Sequence, residues 1–363
     1  MITLYVPDIG DGLAAGILTL EGNRIQIDCG SQQQAEMALE KGLWRINPDT
    51  FLLSHFHMDH YNGLLQVNHY RPWYKPSIRQ VFYPRIPEFR QRETFLLCMF
   101  SMAHRIMGDT SGSMAADFLN VLSQINHTSF KYRSLSMGDT VNIGSSQYEI
   151  LWPPKIIDDE STLNVISKAI NDFNTAVEGD ETLRRILETI GKKGKVRTYS
   201  TEERETGELP GCGKNVNELN ERPHQNEKRE LPEMVRKANE SLRAAANHLS
   251  LAFHEDNKFL FLGDLEGHEI KQVVKILTQK HRHQFFVTVT PHHGTHWDSH
   301  LGRIHTCYSV SSVGSGLFRH LSPKFKSISD ICLITHLNGD VEIPVFFPTW
   351  YGPRPLRNWH TFF

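Results

Sequence analysis

The stretch Ser54-His55-Phe56-His57-Met58-Asp59-His60 follows directly on the apolar run Phe51-Leu52-Leu53 and sets three imidazoles and a carboxylate within six residues. Side chains of an extended segment alternate with period two, so His55 and His57 point the same way and reach one ion. Asp59 and His60 fall on the following turn, where they can serve a second ion beside it. Imidazole nitrogen and carboxylate oxygen suit zinc and neighbouring divalent metals, and paired ions a few ångströms apart are a common device for hydrolysis. Scattered surface histidines are the rival reading in a chain with 20 of them. Their spacing after an apolar strand favours ligands.

The rest of the composition is that of an ordinary globular chain: 363 residues, 39% hydrophobic and 22% charged, with enough apolar mass for a sizeable core. A formal net charge of −2 excludes a protein basic all over, so any nucleic-acid contact must come from a local patch. Five widely spaced cysteines, with no C-x-x-C pair, fit a reducing compartment. The first residues carry neither a basic n-region nor a long apolar core, and no run is long enough to span a bilayer. The expectation is a cytoplasmic protein with no membrane partner.

Strand-like segments with glycine-bearing turns open the chain (Ile2 to Val6, Ala15 to Leu20, Arg24 to Ile27), followed by a helix from Gln32 to Lys41 and a strand from Thr50 to Leu53. Two helices are expected at about Thr94 to Met107 and Met114 to Ile125, with a loop at 108–113 between them. Strands return from Tyr132 to Leu135, Val141 to Ile143 and Gln147 to Leu151, stopping at Pro153-Pro154. Residues 155–243 differ in kind. A helix is expected around Glu181 to Ile190, but 191–233 is polar, charge-mixed and dotted with glycine and proline, too poor in apolar surface to order itself. The chain therefore divides into 1–154, an insertion at 155–243 with a flexible loop, and 244–363 with a C-terminal tail. The 191–233 loop reads as a tether; its basic residues also make it a target for a protease or a regulatory partner. After Ala244 come strands at Leu249 to His254, Lys258 to Leu262, Gln284 to Thr290, Cys307 to Val310 and Ile331 to Thr335, and a helix at His268 to Gln279.

Two of these strands end in further ligands. Phe259-Leu260-Phe261-Leu262 runs into Gly263-Asp264, where a bridging carboxylate belongs, and Phe285 to Thr290 runs into Pro291-His292-His293-Gly294-Thr295-His296. His292 is the expected ligand there, with His293 and His296 supporting the ligands or facing substrate. His248, in Asn247-His248-Leu249-Ser250, is a candidate to complete the site of His55 and His57, against the alternative of a structural histidine satisfied by hydrogen bonds.

The blocks Val6 to Gly12, Ile27-Asp28-Cys29-Gly30, Ser54 to Leu64, Tyr132 to Pro154, Asn247 to Phe253, Phe261 to Leu265, Pro291 to Thr295 and Ser312 to Pro323 resemble, in order, those of metallo-β-lactamase-fold hydrolases, most closely the ComEC-like, competence-related branch. The resemblance spans roughly 1–155 and 243–335. One departure is the pair Asn247-His248, where that branch reads Asn-Asn. The resemblance implies an α+β fold, a four-layer αββα sandwich with metals in a cleft at the sheet edges. It implies two divalent ions, zinc or alternatively manganese, with His55, His57 and His248 on one, Asp59, His60 and His292 on the other, and Asp264 bridging. It also implies Asp28 and Asn247 in support, and Asp59 and His320 as catalytic residues, His320 protonating a leaving oxygen or clamping a phosphate.

The expected function is a metal-dependent phosphodiesterase, a nuclease acting on DNA through a metal-bridging hydroxide, in nucleic-acid turnover or phage defence. Arg71, Lys75, Arg79 and Arg85 lie among aromatics just after the metal motif and are candidate nucleic-acid contacts, against the alternative of ordinary surface charge. The alternative is a small-molecule hydrolase on the same site, cutting an ester, lactone, amide or cyclic nucleotide. A binding module without activity is disfavoured because no principal ligand is missing.

Overall fold

The computed structural model describes residues 2–67, 74–107, 118–193, 206–211 and 231–345. Short apolar strands between glycine turns build two sheets. The first takes β1 (Ile2–Val6), β2 (Gly12–Leu18), β3 (Arg24–Ser31), β4 (Thr50–Leu52), β5 (Gln80–Pro84), β6 (Phe130–Leu135), β9 (Thr206–Leu209) and β15 (Val341–Val345), in the order β15-β1-β2-β3-β4-β5-β6-β9. The second takes β7 (Thr140–Ile143), β8 (Ser146–Trp152), β10 (Ala252–Glu255), β11 (Phe259–Phe261), β12 (Gln284–Val289), β13 (His305–Ser311) and β14 (Ser329–Ile334), in the order β14-β13-β12-β11-β10-β8-β7. Within them β3-β4-β5-β6 and β11-β12-β13-β14 run parallel.

The layering follows from which faces are apolar. Leu4, Ile17 and Ile27 of the first sheet meet Phe253, Phe261 and Val287 of the second in a dry core between the sheets. On the outer face of the first sheet, Phe51 and Val81 pack under Leu39 and Leu43 of a π-helical segment, Ala38–Trp44, and under Phe118 and Leu122 of a later helix. On the outer face of the second, Leu260 and Leu262 pack under Ile270, Val274 and Leu277 of another. Helix, sheet, sheet and helix make the four-layer αββα sandwich.

The longer helices are α1 (Arg92–Met107), α2 (Phe118–Ile125), α3 (Glu160–Gly179), α4 (Glu181–Lys193), α5 (Glu233–Asn247) and α6 (Gly267–Gln279). Here the inserted region departs from expectation. Besides the anticipated α4 it supplies α3 and most of α5, and these pack with α1 around Ile166, Ile170, Phe173, Val235 and Leu242. Each such buried side chain is worth about 1.5–3 kcal/mol, so the helices on either side of 194–230 form a built layer. α3 starts where Asp159 accepts a hydrogen bond from the Thr162 N–H at 2.8 Å, and α5 runs through the expected boundary at 243/244. β9, from the polar stretch, adds an antiparallel edge to β6, and β15, from the expected tail, pairs with β1. The remainder of the stretch (194–205, 212–230), the loop expected at 108–113 and residues 346–363 lie outside the described residues. Among the described residues, no helix is long and apolar enough to cross a membrane.

Candidate metal centre

Every principal ligand leaves the carboxyl end of a parallel strand. β4 runs into Ser54 and His55, β11 into Gly263 and Asp264, and β12 into His292 and His293, so both sheets deliver polar side chains to one edge of the sandwich. Backbone bonds tie these loops in place: Leu251 N–H, just before β10, donates to the Ser54 carbonyl at 2.6 Å, and His292 N–H of the loop after β12 donates to the Gly263 carbonyl of the loop after β11 at 3.0 Å.

Beneath the motif lies Asp28, fully buried and held at a positive φ of 55°. One of its oxygens accepts from the Ser54 N–H at 2.7 Å; the other accepts from the Ser54 hydroxyl at 2.6 Å and pairs with His60 Nδ1 at 2.7 Å. With Nδ1 committed, His60 can offer only Nε2, which lies 3.6 Å from Asp264 Oδ2 and 4.0 Å from Asp59 Oδ1. His55 stacks on His57 with ring centres 6.1 Å apart and tilts against His60 at 3.9 Å. Asp59 Oδ1 faces His57 Nδ1.

The donors fit a metal. Atoms of His55, His60 and Asp264 converge within 4.8 Å of one another, all three residues being buried. His55 Nε2 and His60 Nε2 are buried with no hydrogen-bond partner. An orphaned buried polar atom costs on the order of 1–3 kcal/mol, and two such nitrogens beside the Asp264 carboxylate are accounted for by a shared cation. Burial holds the rings of His55 and His57 well below the usual histidine range, hence neutral and able to donate a lone pair. Burial opposes charge on His60 too, but Asp28 and Asp264 outweigh it and raise its pKa to about 9. Asp264 is ionised: burial alone would raise its pKa, yet His293, His60 and His55 bring it well below the carboxylate range.

The histidine pair after β12 divides otherwise than expected. Both residues sit at positive φ, 48° and 58°, in a tight turn that sends the rings to different neighbours. His293 is buried; its Nδ1 donates to the Ser312 carbonyl at 3.0 Å and its Nε2 lies 3.6 Å from Asp264 Oδ2. That is the arrangement of a ligating imidazole. His292, the expected ligand, has its Nδ1 3.2 Å from Glu266 Oε1 and gathers with Glu266 and His296 in a second, half-exposed group within 4.8 Å.

Other expected residues stand further off. His248 caps α5 and pairs its Nδ1 with the buried Glu269 of α6 at 2.7 Å, a contact that does not bring it to His55 and His57. Asn247 Nδ2 instead reaches Glu266 Oε1 at 3.4 Å. His320 is exposed and accepts from Arg319 Nε at 3.1 Å, on a loop tied back to the Gly294 carbonyl through Ser322 N–H at 2.9 Å. The basic run does not assemble at the centre. Lys75 and Arg79 precede β5, at the opposite end of the strands from the ligands; Arg85 is buried and bonded to Glu88 at 3.4 Å; Arg71 lies outside the described residues. Sequence reasoning passed over Arg243, whose Nη2 lies 3.3 Å from Asp59 Oδ2, and Glu266, two residues beyond Asp264. Arg243 stands four residues before Asn247, one face of a helix, which was the available signal.

No family model and no curated protein matches the chain. Solved structures do. The metallo-β-lactamase fold protein YhfI from Bacillus subtilis matches at 9% identity and a TM-score of 0.41, over 94% of this chain and 99% of that one. A diphosphatase of the PhnP family matches at 10% and 0.38, over 95% and 98%. The long form RNase Z from yeast matches at 8% and 0.36, over 80% and 32%. The four-layer assignment rests on the strand order and packing, and does not draw on these likenesses.

Proposed function

We propose that the chain is a metal-dependent phosphodiesterase, a nuclease acting on DNA. The observation that carries this is the buried convergence of His55, His60 and Asp264, with His293 against Asp264 and unpartnered nitrogens aimed at one point. When bound there, a pair of divalent cations supplies Lewis acidity, making water nucleophilic near neutral pH and offsetting charge that builds on phosphate oxygens. Around them, Asp28 fixes the ring of His60, the Ser312 carbonyl fixes that of His293, and buried His55 stays neutral. Arg243, 3.3 Å from Asp59 at the rim of the centre, adds a fixed positive charge that suits an anionic phosphodiester better than a neutral ester. DNA as the substrate follows from the resemblance to the ComEC-like branch.

The test is one gel. Metal-loaded protein is incubated with single-stranded DNA, double-stranded DNA and RNA beside an Asp264→Ala control. Cleavage of DNA that disappears with chelator and in the control supports the reading, whereas a zinc- or manganese-loaded protein that leaves all three intact refutes it and turns attention to small esters and cyclic nucleotides.

A further inference from the structure

We infer that Arg243 is the anion clamp of this centre, gripping the non-bridging oxygens of a phosphate ester; the inference rests on the phosphodiesterase reading above. Arg243 is delivered by α5, from the helical layer that the inserted region builds beside the sandwich. Its helix is fastened within two turns of it, where Lys237 and Ser241 bond Asp172 of α3 at 2.9 and 2.6 Å. Its stem lines a small cleft with Phe56, Met99, Ala103 and Leu242, opening beside His57. The guanidinium emerges there with its side chain about one-third exposed, at 32%, and places one nitrogen 3.3 Å from Asp59 Oδ2.

Charge decides the role. With a divalent cation bound beside Asp59, the single negative charge of that carboxylate would stand against the guanidinium and the cation together, and the excess of positive charge favours an added anion. A phosphate does so, and the planar fork of arginine, with five N–H donors, suits two of its oxygens. Only Nη2 is engaged with Asp59, through a single contact. Arginine is therefore placed beside Asp59 and His57 to bind the substrate's charge, on a helix separate from the strands that lead into the candidate ligands.

Calorimetry with inorganic phosphate and the metal-loaded, full-length protein tests this without turnover, and metal content is measured alongside. The expected result is that Arg243→Ala weakens phosphate binding about ten- to a hundredfold, that Arg243→Lys falls between, and that metal content stays at the wild-type level. Added guanidinium ion restores part of the lost binding. Phosphate affinity within about twofold of wild type in Arg243→Ala, or no phosphate binding by the wild type, overturns the inference; so does a loss of metal in step with phosphate, which would make Arg243 only a partner of Asp59. Phosphate binding that depends on Arg243 in a protein that cleaves no phosphodiester leaves the clamp standing and refutes the activity instead.

Discussion

Asp28 and His60 are coupled through a 2.7 Å contact between Oδ2 and Nδ1, both residues almost wholly buried, and this contact decides which nitrogen His60 presents to the centre. A ligand imidazole that loses such a partner typically loses metal affinity about 10- to 100-fold. Asp28→Ala is expected to show a drop of that size in competition with a chromophoric chelator. An unchanged affinity would mean that the ring is held by something else.

The two histidines after β12 are predicted to separate. His293→Ala removes an imidazole whose Nε2 lies 3.6 Å from Asp264, so bound metal per chain should fall. His292→Ala removes one turned to Glu266 and should leave the metal of the main centre in place. Elemental analysis of the two purified variants checks this, and equal losses would contradict it.

Gly30 has no room for a side chain. A Cβ there would stand 2.2 Å from the Asp59 carbonyl oxygen and 2.7 Å from the His60 carbonyl carbon, both backbone atoms. Gly30→Ala should therefore push the motif loop off its seat, lowering both thermal stability, by about 1–3 kcal/mol, and metal content. A variant as stable and as metal-rich as the wild type would show that the loop yields freely.

The helical layer has its own fastening. Asp180 caps α4 by accepting from the Leu183 N–H at 2.7 Å and pairs with Arg105 of α1 at 2.9 Å. Burial favours its neutral form, but Arg105 and the capping N–H outweigh burial and bring its pKa below the ordinary 3.8. A depressed folded pKa means that its contribution is complete above the ordinary value and fades as the pH falls through the lower folded one. Asp180→Asn keeps an acceptor for the cap and loses the charge. It should cost about 2 kcal/mol near neutral pH and converge on the wild type in acid. Denaturant melts at several pH values measure this, and a constant difference would contradict the charge account.

The sandwich was legible because its strands announce themselves. β1 and β12 are largely apolar runs that stop at or next to a proline, and the loops after β4 and β11 carry the candidate ligands at strand ends. Other features were not. β9, Thr206–Leu209, has alternating half-buried and exposed residues and no apolar signal; the existing edge of β6 recruits it. α3 did carry a helical period, in Ile166, Ile170 and Phe173, but it was masked by the polar company of its region. Which of His292 and His293 turns inward depends on two positive-φ residues in succession, and spacing cannot express that. For His248 the ligand reading and the structural reading stood side by side, because spacing cannot express a contact such as the one its Nδ1 makes with Glu269.

The most direct test is an anomalous-scattering map of crystals grown with zinc, recorded on either side of the metal's absorption edge. Peaks enclosed by His55, His60, Asp264 and His293 are the predicted result. Metal found only among Glu266, His292 and His296, or none at either place in a protein that folds, would contradict the assignment of the buried cluster as the working centre.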